Sequence, residues 1–363
     1  MGGNFMFQLH ETGELIRALR KQKNLTQEDL AGYANIDVAT LSKIENGHAM
    51  PKQATFRRLL DVLKFDVGDV AHLFMSKEEA EHEEIRKEGS RQLRIMQLKQ
   101  MDDVNNLNQY LEKTAQNENY LRVPQNMQNF LNLQANMLTR LAQAERSSYN
   151  KLGLTYEEHA ELRANFKYSP QVAEGLDRAI ELIYQALKVS IPNFEIEKIS
   201  EYYLTTRERA LLGSLSNAYN AKNEVDTAVK IYKELAKPKD KKEAFGVSHY
   251  PNVIANLVVI LNSAGRFDEA IEYANEGIEF CISTSNTAQL PKIINQKAFA
   301  MCNAFGINEQ GSDMEKARAK EVKEMFRYGY YDALIMKDNR LSSAMEENSR
   351  YWFKENIDGT PLE

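Results

Sequence analysis

Two stretches decide the fold of this chain: Leu25-Thr26-Gln27-Glu28-Asp29-Leu30-Ala31 and, ten residues later, Leu41-Ser42-Lys43-Ile44-Glu45-Asn46-Gly47. Thr26 is a favourable N-cap for a first helix, and Asp37 is a favourable N-cap for a second. The residues from Gly32 to Ile36 leave only a tight connection between them. Two short helices joined in this way meet at a steep angle, which is typical of a helix-turn-helix. Its second helix can lie in a DNA major groove while the first crosses the phosphate backbone.

Length and composition indicate a soluble chain with more than one domain. Its 363 residues predict two or three domains, given about 100–200 residues per domain. Hydrophobic residues make up 43% and charged residues 27%, which is ordinary for a protein with a buried core. The N-terminus lacks the basic start and apolar run of a secretion signal, and no later window is a continuous apolar span. We therefore expect a cytoplasmic protein with no membrane partner.

The residue types that carry catalysis or metal binding are sparse and scattered. Cys281 and Cys302 are too few for a disulfide framework and do not form a C-x-x-C pair, which favours buried reduced thiols. His82-Glu83-Glu84 lacks the second histidine that a zinc protease helix requires one turn later. The chain also lacks a phosphate loop, a dinucleotide-binding glycine motif and a nucleophile elbow. We expect no enzyme, no metal and no cofactor.

The charge distribution limits how strongly one copy can bind DNA. The net charge is −6, but residues 1–75 hold nine Lys and Arg against nine Asp and Glu, so the negative excess lies downstream. A locally neutral segment has a modest electrostatic affinity for phosphate. Two copies on one operator would bind considerably better, and we therefore expect a homodimer.

Helical spacing predicts a compact N-terminal domain. An amphipathic helix is predicted over Thr12 to Lys23, Pro51 opens another helix after the two already described, and Asp66 to Phe74 supplies a fifth. Ser76 to Arg91 is almost entirely charged, which is typical of a solvated connecting helix. The predicted division is a DNA-binding domain at 1–75, a charged linker helix at 76–91 and a second domain at 92–363.

The second domain contains internal repeats. The clearest unit begins at Pro251 and carries Gly265-x-Phe267-x-x-Ala270, followed by the small residues Ala274 and Gly277. Small residues at this spacing let two antiparallel helices approach closely, as in the tetratricopeptide repeat of about 34 residues. Ala228 matches Ala270 at an offset of 42. These features predict stacked helix pairs, which form a superhelix with a concave inner wall.

Other segments extend the repeat array in both directions. The stretch from Pro291 repeats the stretch from Pro251 at an offset of 40, which predicts a third unit. Asp177 to Ala186 resembles the second helix of a degenerate repeat, and residues 92–165 have the periodicity of further helix pairs. The number of repeats upstream of residue 200 stays open.

These motifs carry a resemblance to a known family. Residues 12–74 resemble the Xre/Cro-type helix-turn-helix domain of bacterial regulators, through residues 25–31, residues 41–47 and Pro51. Such a domain followed by tetratricopeptide-like repeats resembles the peptide-pheromone receptors of the RRNPP type, which are cytoplasmic quorum-sensing regulators. The resemblance implies an all-α chain, with a five-helix lambda-repressor-like domain before a tetratricopeptide-like α-solenoid. Its expected partners are a double-stranded DNA operator and a short signalling peptide.

The resemblance also implies a set of DNA-binding residues. Gln27 would bind phosphate, and the exposed side of the second helix would contact bases. Leu41 and Ile44 point inward at this spacing, which leaves Lys43 outside. A carboxylate at Asp37 repels phosphate unless it caps the helix or accepts from a cytosine amino group. The predicted residues are Gln27, Asp37, Val38, Ala39, Thr40, Ser42, Lys43 and Asn46; the alternative is that they are ordinary solvated helix residues.

Amide side chains are the predicted peptide-binding groups. In tetratricopeptide repeats the first helix of each pair lines the concave wall, and alignment of the repeats places several amides there. A carboxamide can pair with both the N–H and the C=O of a peptide backbone, and Arg209 could meet a carboxylate. The predicted residues are Asn217, Asn220, Asn256, Asn262, Gln296 and Arg209; the alternative is that they are solvated polar positions.

Three functions are compatible with the sequence. The first is a transcription regulator whose repeats bind a signalling peptide and so alter DNA binding. The second is an Xre-type regulator whose repeats bind a protein partner instead, and screening with peptides distinguishes the two. The third is a helical scaffold that no longer binds DNA, which would show no preferred operator and no salt dependence in a gel shift.

Overall fold

The structure is a computed structural model that describes residues 2–63, 77–95, 101–147, 158, 161–162, 165–202, 204–237, 246–335, 338–360 and 362. Every regular element within these residues is helical, which confirms the all-α prediction. The chain divides into two compact units, Met1–Arg91 and Gln92–Glu363. Within the described ranges, no helix combines the length and the apolar character needed to cross a membrane.

Four of the described helices of the first unit surround one small core. They are α1 (Gly2–Gln22), α2 (Gln27–Tyr33), α3 (Val38–Glu45) and α4 (Gln53–Leu63). The fifth predicted helix, Asp66 to Phe74, lies outside the described residues. Apolar side chains from all four helices meet in the core: Ile16, Leu19, Leu30, Leu41, Ile44, Phe56, Leu59, Leu60 and Leu63.

Both predicted N-caps of the helix-turn-helix are confirmed. Thr26 and Asp29 form a capping box at the start of α2, in which each side chain bonds the backbone N–H of the other. Asp37 caps α3 by accepting a hydrogen bond from the backbone of Thr40. The turn between α2 and α3 closes through Asn35, which is left-handed with φ +51° and lets the chain reverse within four residues.

The first helix is longer than the apolar spacing predicts. It begins at Gly2, not at Thr12. Thr12 is fully buried inside the helix, and Leu9 lies on the same face one turn earlier, so the buried stripe continues towards the N-terminus. The prediction started at Thr12 because the apolar spacing of Leu15, Ile16 and Leu19 begins there, whereas the structure buries Thr12 within the helix.

The remaining helices form the charged segment and the second unit. The charged segment is α5 (Lys77–Ile95), which covers the predicted linker from Lys77 onward and continues beyond it. The second unit then contains α6 (Met101–Ala115), α7 (Glu118–Leu121), α8 (Pro124–Ser147), α9 (Pro170–Ser190), a 3-10 helix at Ile196–Glu201, α10 (Thr206–Ala221), α11 (Val225–Ala236), α12 (Gly246–Ser263), α13 (Phe267–Ser283), α14 (Leu290–Phe305), α15 (Asp313–Ile335) and α16 (Asn339–Phe353).

Successive helices of the second unit pack as stacked pairs. The pairs are α8 with α9, α10 with α11, α12 with α13, and α14 with α15, while α16 packs on α15. The first helices of neighbouring pairs also contact one another, from α8 through α10 and α12 to α14. We call the surface formed by these four helices the first-helix wall. This arrangement confirms the prediction of a helix-turn-helix domain followed by a helical solenoid.

The turns within two consecutive pairs share one geometry. Gly265 has φ +70°, and Asn223, which lies 42 residues earlier, has φ +67°. In each turn, the residue after the left-handed one donates its backbone N–H to the carbonyl five residues earlier. Arg266 N donates to Leu261 O at 3.0 Å, and Glu224 N donates to Tyr219 O at 2.8 Å. Asparagine is one of the few residues that adopt the left-handed region readily, so it replaces glycine here.

Close packing between α12 and α13 depends on a missing side chain. A Cβ placed on Gly277 would lie 2.5 Å from Cγ2 of Ile254. Ala270 and Ala274 are also buried on the same helix. The small residues of the sequence pattern therefore permit the close approach of this pair.

Both cysteines are free thiols inside the second unit. Cys281 on α13 and Cys302 on α14 are buried, as predicted. Burial raises the pKa of both thiols, since a low-polarity environment disfavours the thiolate. Among the described residues, no group of three or more histidines, cysteines or carboxylates could hold a metal ion.

Candidate functional site

Helix α3 presents one exposed face and one buried face. Leu41 and Ile44 are 0% and 1% exposed, so they anchor the helix in the core. Val38, Ala39 and Lys43 are exposed, and Thr40 and Ser42 are partly exposed. Five of the residues predicted to contact DNA, Val38, Ala39, Thr40, Ser42 and Lys43, thus lie on the solvent-accessible side of α3.

Asp37 remains charged at the start of this face. Its Oδ1 accepts from the backbone N–H of Thr40 at 2.9 Å, and its Oδ2 accepts from the Thr40 hydroxyl at 2.5 Å. These hydrogen bonds from Thr40 lower the pKa of Asp37. The Thr40 hydroxyl donates its proton to Asp37, so it can meet DNA in this state only as an acceptor.

Glu45 joins α1, α2 and α3 through one buried carboxylate. Arg20 donates to it twice, from Nε at 2.6 Å and from Nη2 at 2.8 Å, and Gln27 donates to it from Nε2 at 2.8 Å. Burial alone would raise the pKa of Glu45, but the hydrogen bonds from Arg20 and Gln27 and the nearby arginine charges bring it below its ordinary value. The carboxylate therefore stays ionised within the unit.

Two predicted DNA-binding residues, Gln27 and Asn46, form hydrogen bonds within or beside this cluster of Arg20, Gln27 and Glu45. The Gln27 amide nitrogen is engaged by Glu45. Its placement at the start of α2 is as predicted. Asn46 is the C-cap of α3, and its Oδ1 accepts a hydrogen bond from Arg17. The predicted DNA-binding residues did not include Arg17, Arg20 or Glu45, and no local motif marks Glu45, because its burial depends on how α3 packs on α1 and α2.

The second unit has a cavity on the first-helix wall. It measures about 270 Å³ and lies between α10, α11 and α12. Three of the six predicted peptide-binding residues line it: Arg209, Asn217 and Asn256. The structure brings these three together although the first two are on α10 and the third is on α12.

A buried tyrosine organises the wall of this cavity. The Tyr232 side chain is 2% exposed, and its hydroxyl donates to the carbonyl of Gly213 at 3.4 Å. Burial raises the pKa of Tyr232 to about 12, while hydrogen bonds from the amides of Asn256 and Asn217 act in the opposite direction. The Tyr232 hydroxyl thus connects both asparagines. Sequence reasoning missed Tyr232 because it lies on the second helix of its pair.

The other three predicted peptide-binding residues, Asn220, Asn262 and Gln296, do not line this cavity. Asn262 is not on an open wall: it is 3% exposed, and its Nδ2 donates to the carbonyl and to Oε1 of Gln296 at 2.9 and 3.0 Å. Gln296 is therefore engaged by the same bond. Asn220 is partly exposed on α10 but does not line the cavity. Alignment of the repeats predicts which residues lie on a given face of the first helix. Whether such a residue is buried depends on the packing of the next helix pair against that face.

Polar side chains connect neighbouring first helices along the array and also connect α14 with α16. We call these pairs the polar seam: Asn136 with Ser214 at 3.2 Å, Asn256 with Lys292 at 2.7 Å, Asn262 with Gln296 at 3.0 Å, and Asn295 on α14 with Asn348 on α16 at 3.2 Å. Amide and hydroxyl groups therefore hold successive pairs together as well as lining the wall.

Comparison with known proteins identifies the first unit. Residues 16–70 match the family described as helix-turn-helix. The chain is 39% identical over 59 residues to the uncharacterized HTH-type transcriptional regulator YazB of Bacillus subtilis (strain 168), a match that covers 16% of this chain and 86% of that relative. The chain belongs to the helix-turn-helix transcriptional regulators.

Two further comparisons concern a longer relative and the whole fold. The chain is 45% identical over 53 residues to the HTH-type transcriptional repressor RghR of Bacillus subtilis (strain 168), a match that covers 14% of this chain and 39% of that relative. The chain thus spans about two fifths of RghR. The crystal structure of Bacillus thuringiensis PlcR in complex with the peptide PapR7 and DNA superposes with a TM-score of 0.52 at 12% identity, covering 92% of this chain and 98% of PlcR. The two chains share a fold.

Proposed function

We propose that this protein is a transcription regulator that binds operator DNA through its first unit and a short signalling peptide through its second. Peptide binding alters the affinity for DNA. The protein is not an enzyme and needs no cofactor. It acts in the cytoplasm as a homodimer, with DNA-binding residues at 1–75, a linking helix at 76–91 and a peptide-binding and oligomerisation domain at 92–363.

The observation that carries this proposal is the cavity on the first-helix wall. It gathers Arg209, Asn217 and Asn256 in a unit whose fold is shared with PlcR, a protein crystallised with a peptide and DNA. Two carboxamides about one cavity can pair with the N–H and C=O groups of an extended backbone. The volume of about 270 Å³ can take one or two residues of a peptide.

The DNA-binding half is supported by the exposed face of α3. Lys43 is exposed on that face, Val38 and Ala39 are exposed beside it, and Leu41 and Ile44 fix it on the core. A helix-turn-helix places an exposed helix face of this kind in the major groove. The residues Gln27, Asp37, Thr40, Ser42 and Asn46 complete the proposed surface.

The experiment is a binding titration on DNA that flanks the gene for this protein. Fluorescence anisotropy measures affinity for the full chain, at two salt concentrations, with and without synthetic peptides encoded by small neighbouring reading frames. We expect salt-dependent, sequence-specific binding that one peptide changes. The double variant Asn217→Ala with Asn256→Ala should bind DNA normally and lose the response to peptide.

The variant Lys230→Gln is the matched control, because Lys230 is exposed on α11 and does not line the cavity. Specific DNA binding that no peptide changes would contradict the peptide half and favour a protein partner for the second unit. Absence of any preferred DNA sequence would contradict both halves.

A further inference from the structure

Lys292 fixes the orientation of the Asn256 amide. Its Nζ, on α14, lies 2.7 Å from Oδ1 of Asn256, on α12. An ammonium group has three donors and no acceptor. The amide oxygen must therefore face Lys292, and the NH2 group must face away from it. The two ends of an amide have nearly the same shape, and the contact with Lys292 determines which end of the Asn256 amide is the oxygen and which is the nitrogen.

The NH2 group of Asn256 is directed at the cavity side of the wall. Asn256 and Asn217 line the cavity together with Tyr232, whose own hydroxyl proton is directed at the Gly213 carbonyl. Burial raises the pKa of Tyr232, and hydrogen bonding from both amides acts to lower it. The tyrosine oxygen therefore accepts from the amides. Each NH2 group has two protons, and one bond to Tyr232 leaves the second available to a ligand in the cavity.

Among the described residues that line the cavity, the charged one is Arg209. Arg209 offers five donors and no acceptor. Its Nε bonds the carbonyl of Leu204 at 3.1 Å. None of the described residues that line the cavity is an aspartate or a glutamate. Lys292 adds a second positive charge behind Asn256, and burial lowers the pKa of its ammonium group.

The charge on Lys292 is compensated only at a distance. Asp338 is the carboxylate that favours its charged form, yet within the described residues the two side chains form no ion pair. Desolvating an ammonium group is unfavourable unless an anion or several acceptors lie nearby. A single amide oxygen satisfies one of its three donors.

We propose that this cavity binds a carboxylate group, and that Lys292 is a positioning residue that turns Asn256 into a donor for it. An ionised carboxylate is an acceptor-only group, so it matches a wall of oriented N–H donors next to two cations. This inference rests on the proposed function, because the carboxylate belongs to the signalling peptide. It comes either from the peptide C-terminus or from an aspartate or glutamate side chain.

Three pools of random heptapeptides distinguish these sources. The first pool has a free C-terminal carboxylate and no Asp or Glu, the second is C-terminally amidated and contains Asp and Glu, and the third is amidated and contains neither. Each pool is passed over the immobilised full chain, and retained peptide is quantified by mass spectrometry. We expect retention of the first or the second pool at least about tenfold above the third, since charge-assisted hydrogen bonds are lost from the third.

Two substitutions test the roles of the residues. Asn256→Asp keeps an oxygen for Lys292 and replaces the NH2 donor with an acceptor, so it should lower carboxylate retention at least about tenfold. Lys292→Gln retains a donor to Asn256 without the charge, whereas Lys292→Met removes both. Retention should therefore decrease from wild type to Lys292→Gln to Lys292→Met. Lys230→Gln, on the exposed side of α11, should behave as wild type.

Equal retention of all three pools would overturn the carboxylate assignment and leave the proposed peptide binding in place. Unchanged retention by Asn256→Asp would overturn it as well, and wild-type retention by Lys292→Met would overturn the positioning role. Retention of no pool would overturn this inference and the peptide half of the proposed function together. Circular dichroism melts of each variant confirm that the chain is folded before retention is compared.

Discussion

Asp37 combines a structural advantage with an electrostatic disadvantage for DNA binding. Its carboxylate caps α3, but it also carries a negative charge on the face proposed to meet DNA. We predict that Asp37→Asn increases DNA affinity roughly fivefold, because asparagine caps a helix equally well and about 1 kcal/mol of repulsion per close charge pair is removed. Anisotropy titrations on the operator measure this change.

Asp37→Ala is the control for the capping role. It removes the same charge but also the cap, at a cost of about 1 kcal/mol in stability. A loss of affinity in Asp37→Asn would contradict the prediction and indicate that the carboxylate accepts a hydrogen bond from a cytosine amino group.

Glu45 is the residue on which the geometry of the helix-turn-helix depends most. Glu45→Gln replaces a buried carboxylate that accepts hydrogen bonds from Arg20 and Gln27, and it leaves the Arg20 charge without its partner. We therefore predict a loss of about 2–4 kcal/mol in the stability of the first unit. Amide hydrogen exchange across residues 16–45 of the full chain measures it. Glu14→Gln is the control, since Glu14 is exposed on α1; equal protection in the two variants would refute the role of Glu45.

The pH dependence of stability follows from the same carboxylate. The folded pKa of Glu45 lies below its unfolded value, so its contribution is complete above the unfolded pKa of about 4.3. It is lost as the pH falls through the folded pKa. We expect protection of α1 to α3 to decrease below about pH 4.3 in the wild type, with a weaker decrease in Glu45→Gln; a parallel decrease in both would contradict this assignment.

Residue types could be predicted from the sequence better than residue environments. Alignment of the repeats assigned Asn217 and Asn256 to the first helices of two consecutive pairs, and both line one cavity because first helices of neighbouring pairs lie side by side. The same alignment named Asn262, which is buried against Gln296. The burial of Asn262 depends on how the next helix pair packs against α12, and the residue type at position 262 does not determine that packing. Lys292 escaped prediction for the same reason, since its contact with Asn256 joins two pairs.

At the scale of helices, the contact between α12 and α13 depends on Gly277. A methyl group there would lie 2.5 Å from Ile254. We predict that Gly277→Ala destabilises the second unit by about 1–3 kcal/mol, the usual cost of overpacking a core. Denaturant unfolding followed by circular dichroism measures the loss.

Gly175 provides the matched comparison within the same unit. It lies in the interior of α9, and a Cβ there would be 3.5 Å from Leu138 Cδ2, an ordinary contact. Gly175→Ala should therefore stabilise the chain by about 0.5–1 kcal/mol, since alanine favours a helix interior. Destabilisation by both substitutions to the same extent would show that helix propensity, and not the space at Gly277, sets the result.

Elements were predictable where a local signal is strong. Thr26 and Asp37 mark the starts of α2 and α3 because a cap acts on residues three positions away. The turn at Gly265 is likewise a local signal, and Asn223 repeats it. The start of α1 depends instead on packing of Leu9 and Thr12 against the rest of the unit, so its true position was missed.

At the scale of the whole molecule, the neutral charge of the DNA-binding segment makes pairing important. Residues 1–75 have equal numbers of positive and negative side chains. We predict that the protein binds an operator with two half-sites one DNA turn apart, and that inserting about five base pairs between them lowers affinity more than tenfold because the half-sites then face opposite sides. Anisotropy titrations with both operators measure this difference.

The stoichiometry of the complex checks the same prediction independently. Sedimentation of the protein with the operator should give two chains per duplex. A control duplex with one half-site should bind one chain with lower affinity. Only monomeric protein in sedimentation, with and without the operator, would refute the dimer.

The two buried thiols of the second unit can be used to measure how often its helix pairs separate. Cys281 and Cys302 lie on neighbouring helix pairs, and burial keeps both as the unreactive thiol. An alkylating reagent can therefore modify them only in molecules whose helix pairs have come apart. The labelling rate then reports how often the solenoid opens, and a ligand that bridges two pairs should slow it without any dye or engineered site.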